Sequence, residues 1–202
     1  QRSEMLSGIS HDLRTPLTRI KLQLAMITDT KLSKKLSLNV DEMEKMLNEY
    51  LHFSSTKAKD KTETFNISEL MEEIILKYEN SNIFLSTKPR IYFDGRKNLL
   101  TRCINNLLDN SLKYANKIEI NLEKENTNLL ISISDDGPGV PETEYKNIIK
   151  PFYKIDKSRS ETKSSVGLGL AISSDIIKSH GGDIVFNKSH LGGLKVKIFL
   201  PV

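Results

Sequence analysis

The 202-residue chain has no tryptophan, a single cysteine and no run of eighteen apolar residues. The missing apolar run excludes a membrane-spanning helix within this stretch of sequence. Cys103 alone cannot build a disulfide framework or a structural zinc site, and such thiol usage fits a reducing compartment, so a cytoplasmic location is expected. With Phe and Tyr scattered singly there is no platform on which bases could stack. A charge surplus is missing too: 30 Lys and Arg against 26 Asp and Glu give a net charge of +4, interspersed along the chain, which argues against a nucleic-acid partner. No internal repeat is present. The opening residues Gln1, Arg2, Ser3 and Glu4 hold neither an initiator Met nor a leader-like apolar stretch, so the expectation is a piece of a longer protein. Apolar residues make up 38% of the chain, enough for a core of ordinary size.

Glycine and proline are scarce at the start: up to Phe53 only Gly8 and Pro16 occur. There the apolar residues advance in steps of four and three, Leu13, Leu17, Ile20, Leu24 and Ile27, then Leu36, Val40, Met43, Leu47 and Tyr50. That spacing predicts two helices, and Thr28 to Lys31 between them predicts a turn that folds them back as an antiparallel hairpin. Two helices facing each other leave much of each stripe wet, so a homodimer with a four-helix bundle is expected. The polar, lysine-rich stretch 56–64 reads as a linker, dividing the chain into domains at 1–55 and 65–202. Beyond it the pattern predicts helices at Asn66–Tyr78, Arg96–Ala115 and Ser165–His180. Strands are predicted at Ile91–Asp94, Ile118–Glu123, Leu129–Ser134, Asp183–Asn187 and Leu194–Leu200. The fold class is α+β, the second domain being an α/β sandwich with a mostly antiparallel sheet.

Four groups of residues stand out chemically. His11, Asp12 and Thr15 lie outside the apolar seam of the first helix, with His11 and Thr15 one turn apart. A lone helical histidine is usually a surface residue without a role, but Pro16 inside the same helix costs about 3 kcal/mol, a strain more typical of functional sites. In the helix Arg96–Ala115, Asn106 and Asn110 are also one turn apart, with Lys113 and Tyr114 continuing that face. Capping or core packing explains only one such amide at a time, whereas two aligned amide oxygens beside a cation suit a hydrated magnesium that bridges phosphates. Asp135-Asp136-Gly137-Pro138-Gly139 presents a carboxylate at a strand end before a glycine turn. Gly167-Leu168-Gly169-Leu170 near a helix start lets phosphates approach backbone amides, or serves packing only. A G-x-x-x-x-G-K-[ST] loop is absent and Ile172 stands where a dinucleotide fingerprint needs Gly or Ala, so both of those nucleotide-binding readings fail.

The segment SHDLRTPLTRI from Ser10 to Ile20 closely resembles the phosphoacceptor box of sensor histidine kinases of the osmosensor-like group. The order of the asparagine helix, D-x-G-x-G, PFYK at Pro151–Lys154 and GLGL is similar to the N, G1, F and G2 boxes of the Bergerat-type ATPase domain. That domain is shared by histidine kinases, gyrase, heat-shock-90 chaperones and MutL. The resemblance implies that ATP phosphorylates His11, activated by Asp12, and that the phosphoryl group passes to an aspartate on a response-regulator receiver domain. It implies that Thr15 positions water for removal of that phosphoryl group, with Arg14 a weaker phosphoryl contact. It further implies that Asp135 takes the adenine amino group and that Asn106 and Asn110 hold Mg2+. Gly137, Gly139, Phe152, Gly167, Leu168, Gly169, Leu170 and Tyr114 would shape the pocket, and Lys154 and Arg159 would belong to a basic lid that also carries Lys157 and Lys163. Ser165 and Val166 depart from the Gly-Thr or Gly-Ser found before GLGL in many relatives. Sensor and membrane segments are expected ahead of Gln1, making this the cytoplasmic portion of an inner-membrane sensor. Two other readings stand beside this one: a nucleotide-binding signalling module without catalysis, and an ATPase that drives conformational change.

Overall fold

A computed structural model describes residues 16–27, 31–34, 36–41, 43–44, 47, 60–78, 81–88, 90–125, 127–155 and 167–202. The chain divides into two units, Gln1–Asp60 and Lys61–Val202. In the first unit the chain is helical at 16–25 and again at 31–34, 36–41, 43–44 and 47. Leu17 and Leu24 from the first stretch and Val40 from the second are buried together, with Leu47 packed against them, as the four-three spacing requires. Lys21 bridges to Asp41 at 2.8 Å and to Glu44, and Ser33 donates to the Leu24 carbonyl at 2.6 Å, fastening the second stretch to the first. Ile20, Ile27, Leu36 and Met43 of the same seams remain exposed in the single chain.

The second unit runs β1 (Glu63–Asn66), α1 (Ile67–Ile75), β2 (Asn82–Thr87), β3 (Tyr92–Gly95), α2 (Lys97–Tyr114), β4 (Lys117–Glu125) and β5 (Asn128–Asp135). After a short 3-10 turn at Glu142–Glu144 come α3 (Gly169–Ser179), β6 (Asp183–Lys188) and β7 (Leu194–Pro201). Five strands form one sheet in the order β2-β4-β5-β7-β6, antiparallel except for the β2–β4 pair. β1 and β3 form a separate antiparallel ribbon. Alternation along the strands turns Ile118, Ile120 and Leu122, Leu129, Ile131 and Ile133, and Val196, Ile198 and Leu200 toward the core. They meet Leu70, Met71 and Ile74 of α1, Leu100, Ile104 and Leu107 of α2, and Ile172, Ile176 and Ile177 of α3 in one buried set. The same period of two continues from Ile131 and Ile133 to Asp135, which brings a carboxylate to the core-facing side at the end of β5.

Several sequence expectations shift. Glu63 and Thr64, assigned to the linker 56–64, pair with Gly95 and Asp94 in β1–β3, and the Thr64 hydroxyl donates to Asp94 at 2.5 Å. α1 ends at Ile75 rather than Tyr78, whose hydroxyl instead donates to Asp109 at 2.9 Å. α3 is described from Gly169, and Gly167 before it takes φ +76°, outside the helical region; Ser165, where the sequence pattern begins this helix, lies outside the described residues. Strand β2 has no counterpart in the sequence reading: Phe84 stands on its exposed side, which blurs the apolar-polar alternation, and its ring is covered by the Lys117 ammonium 5.4 Å from the centroid.

The start of α2 and the end of α3 are joined by His180. Its Nε2 accepts the Arg96 amide at 3.1 Å, so the ring proton sits on Nδ1, facing the Ile176 carbonyl at 2.8 Å. Burial holds this imidazole below its ordinary pKa, and the neighbouring Arg96 guanidinium adds to the effect against the Ile176 hydrogen bond. Arg96 also donates to the Ser179 carbonyl at 2.8 Å.

Candidate nucleotide site

Asp135 is 6% exposed and its carboxylate is held on three sides. Oδ1 accepts the Gly137 amide and the Leu194 amide, each at 3.0 Å, and Oδ2 accepts the Ser111 hydroxyl at 3.1 Å. Its backbone carbonyl accepts the Gly193 amide at 3.1 Å. A Cβ on Gly193 would overlap Asp135 Oδ1, the Gly137 nitrogen and the Asp135 carbonyl oxygen, so glycine is the residue that lets the turn before β7 close on this aspartate. Asp136, next in sequence, has a different task. It is exposed, and its Oδ1 accepts the Asn116 and Lys117 amides at 2.8 Å each, bonds that hold its carboxyl below the usual range, the Lys117 amide foremost. Of the two adjacent aspartates, one ties together α2, its own glycine turn and β7, and the other holds the α2–β4 connection.

Along α2 the site continues. Gly137 lies against the Tyr114 carbonyl, where a Cβ would come within 3.2 Å, and Asn106 Nδ2 donates to the Gly169 carbonyl at 3.4 Å. At about 1.5 Å per residue, the contacts made by Asn106 and Ser111 lie about 7.5 Å apart along the helix axis. Asn110 is half-buried between them in sequence, Lys113 sets its ammonium 5.1 Å from the Tyr114 ring centroid, and Tyr114 is exposed. Thus Asp135 and Gly137 meet the last turn of α2, and Gly169 meets Asn106 nearer its middle. Gly139, at φ +73°, sits beside Gly193.

Gly169 opens α3, Leu170 is half-buried, and the buried Leu168 at the N-cap has no side chain that could cap the first-turn amides. Uncapped amides at a helix start fit an anionic phosphate chain. Gly167 accepts the Phe152 amide at 3.0 Å, and a Cβ on Gly167 would come within 3.1 Å of the Phe152 carbonyl carbon. Phe152 itself holds φ +65°, a conformation that costs a non-glycine residue about 1–3 kcal/mol, and its ring is exposed. Lys154 is half-buried, and Tyr153 donates to Glu144 at 2.6 Å. Arg159, Lys157, Lys163, Ser165 and Val166 lie outside the described residues, as do His11, Asp12, Arg14 and Thr15.

Amide oxygens of the Asn106 and Asn110 type suit a hard cation. Among the described residues no group of three His, Cys, Asp or Glu could hold a metal. Sequence reasoning missed Ser111, Gly193 and the Leu194 amide. Only the Gly192-Gly193 pair just ahead of the last predicted strand offered a signal.

Residues 95–202 match the family of histidine kinase-, DNA gyrase B-, and HSP90-like ATPases, and residues 1–59 match the His Kinase A (phospho-acceptor) domain. Over its whole length the chain is 32% identical to the sensor histidine kinase GtrS of Pseudomonas aeruginosa, of which it covers 42%. It is 30% identical to the sensor histidine kinase CpxA of Escherichia coli, of which it covers 47%. The chain therefore spans less than half the length of these curated relatives. Among solved structures, full-length ShkA in complex with AMPPNP shares the fold over 100% of this chain and 46% of that one, at TM-score 0.70 and 20% identity. The mycobacterial sensor histidine kinase MprB does so over 70% of this chain and 97% of that one, at TM-score 0.61 and 22% identity. A phospho-acceptor domain followed by an ATPase domain of this type places the chain in the sensor histidine kinase family.

Proposed function

We propose that this chain is the catalytic core of a two-component sensor kinase, which uses ATP to phosphorylate His11 and then passes the phosphoryl group to an aspartate of a response-regulator receiver domain. The observation that carries the reading is the buried Asp135 carboxylate, fixed against the same helix whose Asn106 meets the start of α3. In this reading Asp135 accepts the adenine amino group, while the first-turn amides of α3 and Lys113 hold the phosphates. Asn106 and Asn110 hold magnesium through their amide oxygens, and the bound ion supplies charge neutralisation on the phosphate oxygens. The unprotonated ring nitrogen of His11 attacks the terminal phosphorus, the bond from that phosphorus to the β,γ-bridging oxygen breaks and ADP leaves, while Asp12 takes the proton of the other ring nitrogen. Phe152, Gly167 and the lid with Lys154 and Arg159 shape the phosphate side of the pocket. Thr15 positions water when the core removes the phosphoryl group from its regulator. The exposed seam residues Ile20, Leu36 and Met43 meet a second copy in a four-helix dimer. A domain at 1–55, a linker from 56 to the start of β1 and the ATP-binding remainder divide the work. In this reading the core works as the cytoplasmic portion of a membrane sensor.

Labelled phosphate from the γ position of ATP tests the reading. The expected product is an acid-labile, base-stable adduct on the protein that disappears in His11→Gln. Hydrolysis of ATP with no labelled protein points instead to a plain ATPase, and nucleotide binding without either reaction points to a signalling module.

A further inference from the structure

Ser111 lies in the last turn of α2, where a serine ordinarily turns its hydroxyl back to the carbonyl of the preceding turn or leaves it in water. It does neither. At 4% exposure, its hydroxyl crosses to the end of β5 and donates to Oδ2 of Asp135, a residue 24 positions away in sequence. A carboxylate offers about four lone-pair positions, two on each oxygen. The Gly137 and Leu194 amides fill both positions on Oδ1, and Ser111 fills one on Oδ2. One acceptor position is left. The two amides keep the carboxylate plane from turning, and Ser111 decides which side of Oδ2 stays open.

We propose that Ser111 is a positioning residue for base recognition: by occupying one side of Oδ2 on Asp135, its hydroxyl aims the remaining acceptor position at the exocyclic amino group of a purine. The inference rests on the nucleotide-site reading given above and deepens it, because specificity for a 6-aminopurine then depends on a hydroxyl that need not touch the ligand. Without that hydroxyl, both positions on Oδ2 are open to water and the acceptor loses its single direction.

The test compares two nucleotides on the 202-residue chain: ADP, and purine riboside 5′-diphosphate, which lacks the amino group at C6. Affinities come from competition calorimetry on the wild type and on Ser111→Ala, a substitution that keeps the helix because alanine is the strongest helix former. The wild type should prefer ADP. In Ser111→Ala the ADP affinity should fall about tenfold, equivalent to about 1.4 kcal/mol, while that for the desamino nucleotide stays within about twofold. An equal loss for both nucleotides would reduce Ser111 to a shape-filling role and overturn the proposal, as would unchanged ADP affinity. A wild type that binds both nucleotides alike refutes base reading by Asp135 and the Ser111 proposal with it. A wild type that binds neither refutes the nucleotide site itself.

Discussion

Replacing Asp135 with asparagine separates what this residue does for the fold from what it does for a ligand. The side chain keeps its shape but must put its amide nitrogen in place of one oxygen. Oδ1 faces two backbone donors, the amides of Gly137 and Leu194, so the nitrogen is excluded there. It settles at the Oδ2 position, where the Ser111 hydroxyl can rotate and accept from it. The internal bonds survive, and the expected loss of stability is about 1 kcal/mol. The position left for a base then presents a donor, so an exocyclic amino group loses its acceptor and meets another N–H. Losing a hydrogen bond to a carboxylate is worth about 1.5–3 kcal/mol and leaving a donor unsatisfied about 1–3 kcal/mol more, which together weaken ADP by a hundredfold or more, at about 1.4 kcal/mol per tenfold. Asp135→Ala, by contrast, orphans two backbone amides and a hydroxyl, and should cost about 3–5 kcal/mol of stability in addition to binding. Calorimetric titration with ADP, paired with urea unfolding, reads both quantities. ADP binding to Asp135→Asn at wild-type strength, or a stability loss equal to that of Asp135→Ala, would refute the reasoning.

Two further outcomes follow from the geometry. Gly193→Ala forces the start of β7 away from Asp135, and the strained contacts plus two displaced hydrogen bonds should cost about 2–4 kcal/mol in urea unfolding; a loss under about 0.5 kcal/mol would mean that the turn yields freely. His180 is held below its ordinary value of 6.5, so the unfolded chain takes up its proton first as pH falls. Its contribution is complete above that value and is lost progressively below it, down to the folded pKa. Stability measured between neutral and mildly acid pH should fall more steeply in the wild type than in His180→Gln, and parallel profiles would remove His180 from the account.

The candidate boxes were legible because each breaks the pattern around it. Asn106 and Asn110 interrupt an apolar helix, Asp135 ends an alternating strand two residues before a glycine, and Gly169 opens a helix whose N-cap, Leu168, cannot cap it. The second layer was hidden because its members break nothing. Ser111 reads as an ordinary helical residue, and its value comes only from β5 passing beneath α2. Gly193 becomes necessary only once the β6–β7 turn folds against Asp135. In the first unit the four-three spacing correctly picked Leu17, Leu24 and Val40 as buried, but spacing cannot tell a side chain covered by its own hairpin from one left open, as Ile20 and Met43 are. Strand β2 escaped notice because an outward phenylalanine is stabilised there by a lysine from the neighbouring strand.

The anchoring of Asp135 also sets what occupancy does to the rest of the unit. Its carboxylate is grasped by the last turn of α2, by its own glycine turn and by the first residue of β7, three segments that part company when the chain unfolds. A molecule seated on that carboxylate is linked to the whole cooperative transition rather than to a local loop. Saturation at a hundred times the dissociation constant adds about 2.7 kcal/mol to unfolding, so a ligand held at this carboxylate should raise the melting temperature of the whole unit.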